Sequence, residues 1–256
     1  SQCMVEKGSG QDIIIKASGL AKHFGEIHAV DEVDMQIFQR EVLAIVGSNG
    51  AGKTTLLKMI SGGHSIDRGN LFFQSLDVSR LGLIQRARLG IIYSFQIPAL
   101  FENLSALDCL RMALLTREHK TVMFFPTIEK FPLVRKEAEE ILNMFQIPKN
   151  FPACLLPHGQ RKLLDVAMAF ALKPRLLLLD EPTSGVSTKE KDQVMDTIMP
   201  IIRQTNTTTV IVEHDMEIVT RYSDRVIVMD QGRVLAQGTP REVLSNPKVG
   251  EVLLWR

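Results

Sequence analysis

The chain has 256 residues, 30 Lys and Arg against 29 Asp and Glu for a net charge of +1, and three cysteines. That length accommodates one large α/β domain or a domain with an inserted lobe, and the near-balanced charge excludes a global electrostatic claim on nucleic acid or an anionic membrane. No apolar run nears the roughly 18 residues that span a bilayer, and the start lacks a secretion-signal layout, so a soluble, cytoplasmic protein is expected. Cys3, Cys109 and Cys154 stand far apart without paired spacing and read as reduced packing residues. Residues 1–11, polar and glycine-bearing, read as a flexible N-terminus.

In chain order, Asp12 to Lys16 reads as a short strand, and Gly19 to Gly25 leads into a second strand region ending near Phe38. Phe24 precedes the central motif; a lone aromatic there fits either a core residue or a platform for a nucleobase. The apolar run Val42 to Val46 is followed by Gly47, Ser48, Asn49, Gly50, Ala51, Gly52, Lys53, Thr54 and Thr55, and then by Leu56 to Ile60. This is strand, phosphate loop, helix. Gly47, Gly50 and Gly52 can take backbone angles closed to other residues, which lets consecutive N–H groups turn toward an anion. Lys53 brings a point charge to the β- and γ-phosphates, the Thr54 hydroxyl suits Mg²⁺, and the helix start adds a partial charge of roughly +0.5. ATP or GTP is the expected ligand.

Gly62-Gly63 ends that helix, Asp67 to Asn70 reads as a turn, and Leu71 to Phe73 as a strand. Gly90 to Phe95 reads as a buried strand stopping at Gln96, at the sheet edge where ligands collect in α/β folds. From Asn103 to Leu172 the signals turn helical: Leu133, Val134, Ala138, Ile141, Leu142 and Phe145 recur at helical spacing. The apolar cluster Thr121 to Pro126 within this stretch is either buried or a docking surface for a membrane partner. Leu155 to Gln160 precedes a helix from Arg161 to Leu172. Leu176 to Leu179 then forms a fully buried strand that ends in Asp180 and Glu181. Such a strand suits an Asp that holds Mg²⁺ through water, with Glu181 beside it placed to orient or deprotonate a water.

Ser187 to Glu190 is a capping box opening a helix to about Gln204, with a kink expected at Pro200. Thr208 to Val212 is a further buried strand ending at Glu213-His214-Asp215; His214 reads as a structural imidazole, a metal ligand or a γ-phosphate contact. Arg225 to Met229 and Arg233 to Gln237 form a hairpin around Asp230-Gln231-Gly232. A second capping box, Thr239 to Glu242, opens the last helix.

The order of these parts resembles the nucleotide-binding subunits of ATP-binding cassette (ABC) transporters over essentially the whole chain. Walker A is Gly47 to Thr55, the Q-loop is Gln96, and the signature Leu-Ser-Gly-Gly-Gln corresponds to Leu156-Pro157-His158-Gly159-Gln160. Walker B is Leu176 to Asp180, with Glu181 as the catalytic glutamate; the D-loop matches Ser184 to Ser187 and the switch histidine is His214. The resemblance implies a P-loop NTPase (RecA-like) core with an N-terminal antiparallel β-subdomain and an inserted α-helical subdomain. Residues 12–256 would form a single domain, with 97–172 as the helical lobe and 231–256 as a C-terminal hairpin strand and helix. It implies that Phe24 stacks on adenine with Val30 beside it, that Thr55 supports the α-phosphate, and that Gln96 senses Mg²⁺ and the attacking water.

Within the family, Ile211 to Met216, Gly238 to Val243, Asn246-Pro247 with Val249, and an extended segment at about 116–134 resemble the ATPases of branched-chain amino-acid, urea and amide importers. The implied partners are a second nucleotide-binding subunit, the same chain or a paralogue, then transmembrane permease subunits and, indirectly, a periplasmic or extracellular solute-binding protein. Nucleic acid is not an expected partner. The implied location is the inner face of the cell membrane, held there through the permease. An exporter ATPase shares every catalytic motif and is the alternative. The coiled-coil insertion of a DNA-repair cassette and the second cassette of a translation factor are missing here.

Three residues depart from the family pattern. Pro157 replaces the signature serine and removes a hydroxyl aimed at the partner-bound γ-phosphate, although the Gly159 amide and a helix N-terminus remain. Ser187 replaces the usual acidic or amide D-loop residue, and Arg40 stands where a glycine is common in a tight turn.

Overall fold

The computed structural model describes residues 12–94, 103–117 and 132–254. The expected flexible N-terminus, Gln96, the Thr121 to Pro126 cluster and Cys3 lie outside the described residues, and the extended segment at 116–134 lies largely outside them. Two sheets organise the chain. The first is antiparallel, with β1 (Ile13–Phe24), β2 (Ile27–Phe38), β4 (Arg68–Phe73) and β5 (Leu76–Asp77) in the order β2-β1-β4-β5. The second contains β3 (Val42–Gly47), β6 (Ile91–Tyr93), β7 (Leu176–Asp180), β8 (Thr208–Val212), β9 (Arg225–Asp230) and β10 (Arg233–Gly238), in the order β10-β9-β3-β8-β7-β6. Its strands run parallel except β10, which returns antiparallel to β9.

The residues of β3, β7 and β8, mostly Val, Leu and Ile with two threonines opening β8, are buried throughout except at Asp180, as expected for parallel strands covered on both faces. One core fills the space between the two sheets around α1 (Lys53–Ser61). A larger core joins α3 (Ala106–Arg117), α4 (Pro132–Met144), α5 (His158–Ala171) and α6 (Thr188–Thr205), with α2 (Leu83–Leu89) at its margin. Behind β3 and β9, α7 (Met216–Tyr222), α8 (Pro240–Leu244) and α9 (Pro247–Leu254) close a third, smaller cluster.

Several elements differ from the sequence reading. β1 runs to Phe24 instead of ending at Lys16, because bulges at Ala17 to Leu20 carry the ladder through the Ser18-Gly19 break. Arg68 to Asn70 belongs to β4: Gly69, at φ 87°, passes so close to the Gly19 carbonyl that a Cβ would meet it at 2.3 Å. α5 opens at His158, three residues before the expected start, since Pro157 serves as its N-cap. As expected, both capping boxes form, at Ser187/Glu190 and Thr239/Glu242, and α6 runs from Thr188 to Thr205 with Pro200 inside it. Arg40 does hold a left-handed turn, at φ 65°, secured by its N–H donating to Thr208 Oγ1 at 2.9 Å. Burial pushes the Cys109 thiol up to about 11, which keeps it protonated, whereas Cys154 is exposed.

Candidate active site

The register fixes which strand ends meet. Ile45 of β3 pairs with Val212 of β8, and Asp180 of β7 pairs with the same Val212, so the loops after β3, β7 and β8 leave the sheet at one edge. The phosphate loop after β3 uses its glycines as expected: Gly47, Gly50 and Gly52 have φ of 152°, 81° and 95°. Steric demand decides two of them. A Cβ on Gly47 would lie 2.1 Å from the Met229 carbonyl oxygen, and one on Gly52 would lie 2.1 Å from that of Ala29. Ala51 is buried beneath the loop, and Ser48, Asn49 and Gly50 line its open side.

Lys53, the first residue of α1, is 5% exposed and donates to the carbonyls of Gly47 at 2.9 Å and Ser48 at 2.8 Å. Burial lowers its pKa, while the charges of Glu181 and Asp180 act in the opposite direction and tie the three groups into one electrostatic unit. Thr54 Oγ1 donates to Asp180 Oδ1 at 3.1 Å, and Tyr93 Oη donates to Asp180 Oδ2 at 2.6 Å. Burial and the Asp180 carboxylate push the Tyr93 phenol well above its usual range, which keeps it a donor. The hydroxyl of Thr54 and the carboxylate of Asp180 form an all-oxygen donor pair, the chemistry a hard divalent cation such as Mg²⁺ prefers.

Glu181 sits just past β7 in a left-handed conformation, φ 51°, with its N–H donating to the Val212 carbonyl at 3.0 Å. Its Oε1 is 2.7 Å from Nε2 of His214 across the sheet edge, and both side chains keep more than a third of their surface in solvent. A carboxylate and an imidazole so placed can share a proton and a water. Glu213 is the underlying brace, at 3% exposure. Its Oε1 accepts from Thr183 N at 3.2 Å and Thr183 Oγ1 at 2.7 Å, and its Oε2 accepts from the His214 N–H at 3.2 Å.

The remaining candidates fall in two places. Phe24 is 45% exposed at the end of β1, with its ring edge-on to His64 at 5.4 Å. Val30 is fully buried in the inter-sheet core; it supports the hairpin from below and offers no surface to a ligand. Pro157, His158, Gly159 and Gln160 form the start of α5, whose contacts run to α3, α4, α6 and β7. His158 lies against the Ser184-Gly185 turn, where its Cε1 is 3.1 Å from a Cβ built on Gly185. Gly159 faces α6, where a Cβ would make ordinary contact with Val194 at 3.4 Å. The structure therefore gathers Lys53, Thr54, Asp180, Glu181 and His214, and sets the signature stretch apart with the D-loop turn. Sequence reasoning missed Tyr93 and Glu213 as supports. Their only signals were a buried tyrosine near a strand end and an acid beside His214.

A family model described as "ABC transporter" matches residues 30–184. The chain is 31% identical over 246 residues to the high-affinity branched-chain amino acid transport ATP-binding protein BraF of Pseudomonas aeruginosa, spanning 92% of this chain and 95% of that protein. Among solved structures, the ADP conformation of an ATP-binding cassette of an ABC transporter superposes with a TM-score of 0.84 at 27% identity, covering 95% of this chain and 99% of that one. A dimeric bacterial ABC transporter cassette superposes with a TM-score of 0.74 at 26% identity, covering 89% and 99%.

Proposed function

Because this chain belongs to the ABC transporter family and is one of its ATPases, we propose that it drives an importer of branched-chain amino acids, urea or related amides. Residues 12–256 act as one ABC ATPase domain, with 97–172 as its helical lobe and 231–256 as its C-terminal strand and helix. Two such subunits, identical or paralogous, pair head to tail beneath permease subunits at the cytoplasmic face of the membrane, and a solute-binding protein delivers the substrate from outside. The full-length likeness to BraF supports the import reading, and the likeness to a dimeric cassette supports the pairing. Among the described residues no helix is long and apolar enough to cross a membrane.

The observation that carries the chemistry is the Glu181 to His214 contact of 2.7 Å beside Asp180, at the sheet edge that also holds the phosphate loop. ATP binds with its phosphates in the loop from Gly47 to Thr55, where backbone N–H groups and Lys53 meet the anionic oxygens. The Lys53 ammonium has three N–H donors, so with two on the Gly47 and Ser48 carbonyls a third is free to meet a phosphate oxygen, and its burial keeps competing water away. Thr54 and Asp180 would hold Mg²⁺, with Gln96 as a further contact, and the ion supplies charge neutralisation at the phosphates when bound. Glu181 accepts the proton of the attacking water, and His214 fixes the carboxylate and faces the γ-phosphate. Phe24 offers its exposed face to the adenine. The partner subunit's copy of Pro157 to Gln160 closes the site from the other side.

Light scattering on the Glu181→Gln protein, with and without Mg-ATP, tests the pairing, and phosphate release by the same protein tests the base. The expected result is a dimer that forms only with Mg-ATP and turns over roughly 10²- to 10⁴-fold more slowly than wild type while binding ATP normally. Wild-type turnover in the variant would overturn the role of Glu181. A persistent ATP-bound monomer would point to a paralogous ATPase as obligate partner or to a dimer that needs the permease subunits.

A further inference from the structure

We propose that His23, His28 and Asp31, on the outer end of the β1–β2 hairpin, form a binding site for one divalent transition ion of the zinc, nickel or copper class. One ring nitrogen from each histidine and one carboxylate oxygen of Asp31 lie within 4.8 Å of one another. The grouping is a product of the fold. His23 and His28 are cross-strand partners in the β1–β2 ladder, next to the turn at Gly25 and Glu26, and their rings lie in contact with centroids 4.1 Å apart and planes tilted by 45°. Asp31 would ordinarily point to the opposite face from His28, since residues three apart on a strand alternate. Between the pairs Lys22/Val30 and His23/His28, however, the register slips by one residue, and Ala29 is the extra one. A bulge of this kind reverses the alternation and returns Asp31 to the histidine face.

The bulge is held from outside the hairpin. The Ala29 carbonyl rests against Gly52 of the phosphate loop, and the Asp31 N–H donates to the Gly232 carbonyl at 2.8 Å. The three side chains therefore stand on a fixed backbone, as a ligand set requires.

Two details of hydrogen bonding point to a ligand. His23 Nε2 is buried and has no hydrogen-bond partner, an arrangement proteins normally avoid. Arg233 binds Asp31 through Nε at 3.0 Å and Nη2 at 2.6 Å, but both bonds fall on Oδ2, and Oδ1 is left open on the other side of the carboxylate. An arginine on the far oxygen is the usual outer-sphere support of a ligating carboxylate, orienting it without blocking it.

The donor set selects the ion. Two imidazoles and one carboxylate suit zinc, copper or nickel, whereas magnesium and calcium favour oxygen ligands throughout. Nitrogens at about 2.0–2.1 Å from a tetrahedral ion lie about 3.3 Å apart, so modest rotations of the exposed His28 ring close the set, with water in the remaining positions. The ion would tie β1 to β2 immediately before Phe24.

The test uses the full chain without an affinity tag or nucleotide, titrated with Co²⁺ as the optical probe and then with Zn²⁺ in competition. The expected result is one ion per chain with ligand-field bands that lack a sulfur charge-transfer feature, displaced by Zn²⁺. Affinity should fall about tenfold or more in both His28→Ala and His23→Ala. His28 is exposed, so its variant should keep the wild-type melting temperature without metal, and Zn²⁺ should raise that temperature in wild type only. Unchanged binding in His28→Ala, a sulfur band, or no binding above the variant's at about 0.1 mM ion would overturn the assignment.

Discussion

Replacing Glu213 by Gln changes one atom of a side chain buried behind His214, yet it should slow turnover markedly. The Glu213 carboxylate accepts three hydrogen bonds, two from Thr183 and one from the His214 N–H, and both Glu213 and Thr183 are almost wholly buried. A glutamine side chain has one acceptor oxygen and an NH₂ group. Whichever way it is turned, an N–H donor faces either the Thr183 donors or the His214 N–H. A hydrogen bond to a buried charge contributes about 1.5–3 kcal/mol, and a buried donor left without an acceptor loses about 1–3 kcal/mol. The local penalty is therefore about 2–3 kcal/mol, and it falls on Thr183, two residues after Glu181, and on His214 itself. If the site relaxes by letting Glu181 and His214 drift apart from their 2.7 Å contact, most of that penalty enters the barrier. At about 1.4 kcal/mol per factor of ten, kcat should fall roughly 10- to 100-fold. The phosphate loop keeps all its own contacts, so nucleotide Kd should stay within about threefold. Phosphate release at saturating Mg-ATP, measured beside nucleotide binding and thermal melting, reads all three quantities. A variant that melts lower but turns over within twofold of wild type would refute the coupling and leave Glu213 a purely structural acid.

Tyr93→Phe removes the donor to Asp180 Oδ2 and leaves Thr54 on the other oxygen; kcat should drop by about tenfold, and the Mg²⁺ concentration needed for half-maximal turnover should rise. A variant with an unaltered Mg²⁺ dependence would show that Asp180 holds its orientation without the phenol. Arg117→Met tests the pH linkage of the helical lobe. The two hydrogen bonds from Arg117 to Glu137, each 2.8 Å, hold that carboxyl below its ordinary value of 4.5. With the folded value depressed, the stabilisation is complete above about pH 4.5 and is lost as pH falls through the lower folded value. Urea unfolding should give a deficit of about 1 kcal/mol for the variant at neutral pH that narrows as pH falls below about 4.5, and a deficit that widens on acidification would contradict the linkage.

The parts legible in the sequence are those whose physics is local. The phosphate loop is contiguous, the leucines before Asp180 report their own burial, and each capping box is four residues long. What could not be read depends on distant contacts. Tyr93 meets Asp180 across 87 residues of chain, and Glu213 meets Thr183 across 30. The true length of β1 depends on β4 lying close enough to pair through a bulge, with Gly69 against the Gly19 carbonyl. The burial of Val30 follows from the second sheet packing over it, which no periodicity within β2 encodes. The three-atom cluster at His23 escaped notice because Asp31 joins it only through the extra residue at Ala29, and a strict alternation of strand faces would place it on the other side.

Pro157 is the residue where fold and chemistry diverge most. As an N-cap it provides no side-chain acceptor, and the first turn of α5 begins at His158 with backbone N–H groups that no cap satisfies. Those donors, together with the partial positive charge of a 14-residue helix, are what an anion brought by a second subunit would meet. A serine in place of Pro157 would add one hydroxyl to them, about 1 kcal/mol or a factor of roughly five. The rigid proline instead fixes the entry into α5, while the close packing of His158 on Gly185 sets the helix start against the D-loop turn. Pairing through this surface thus relies on backbone donors held in place by α6 more than on a side chain. ATP-dependent association of the Glu181→Gln protein should accordingly be weakened by a single hydrogen bond at each site and not abolished.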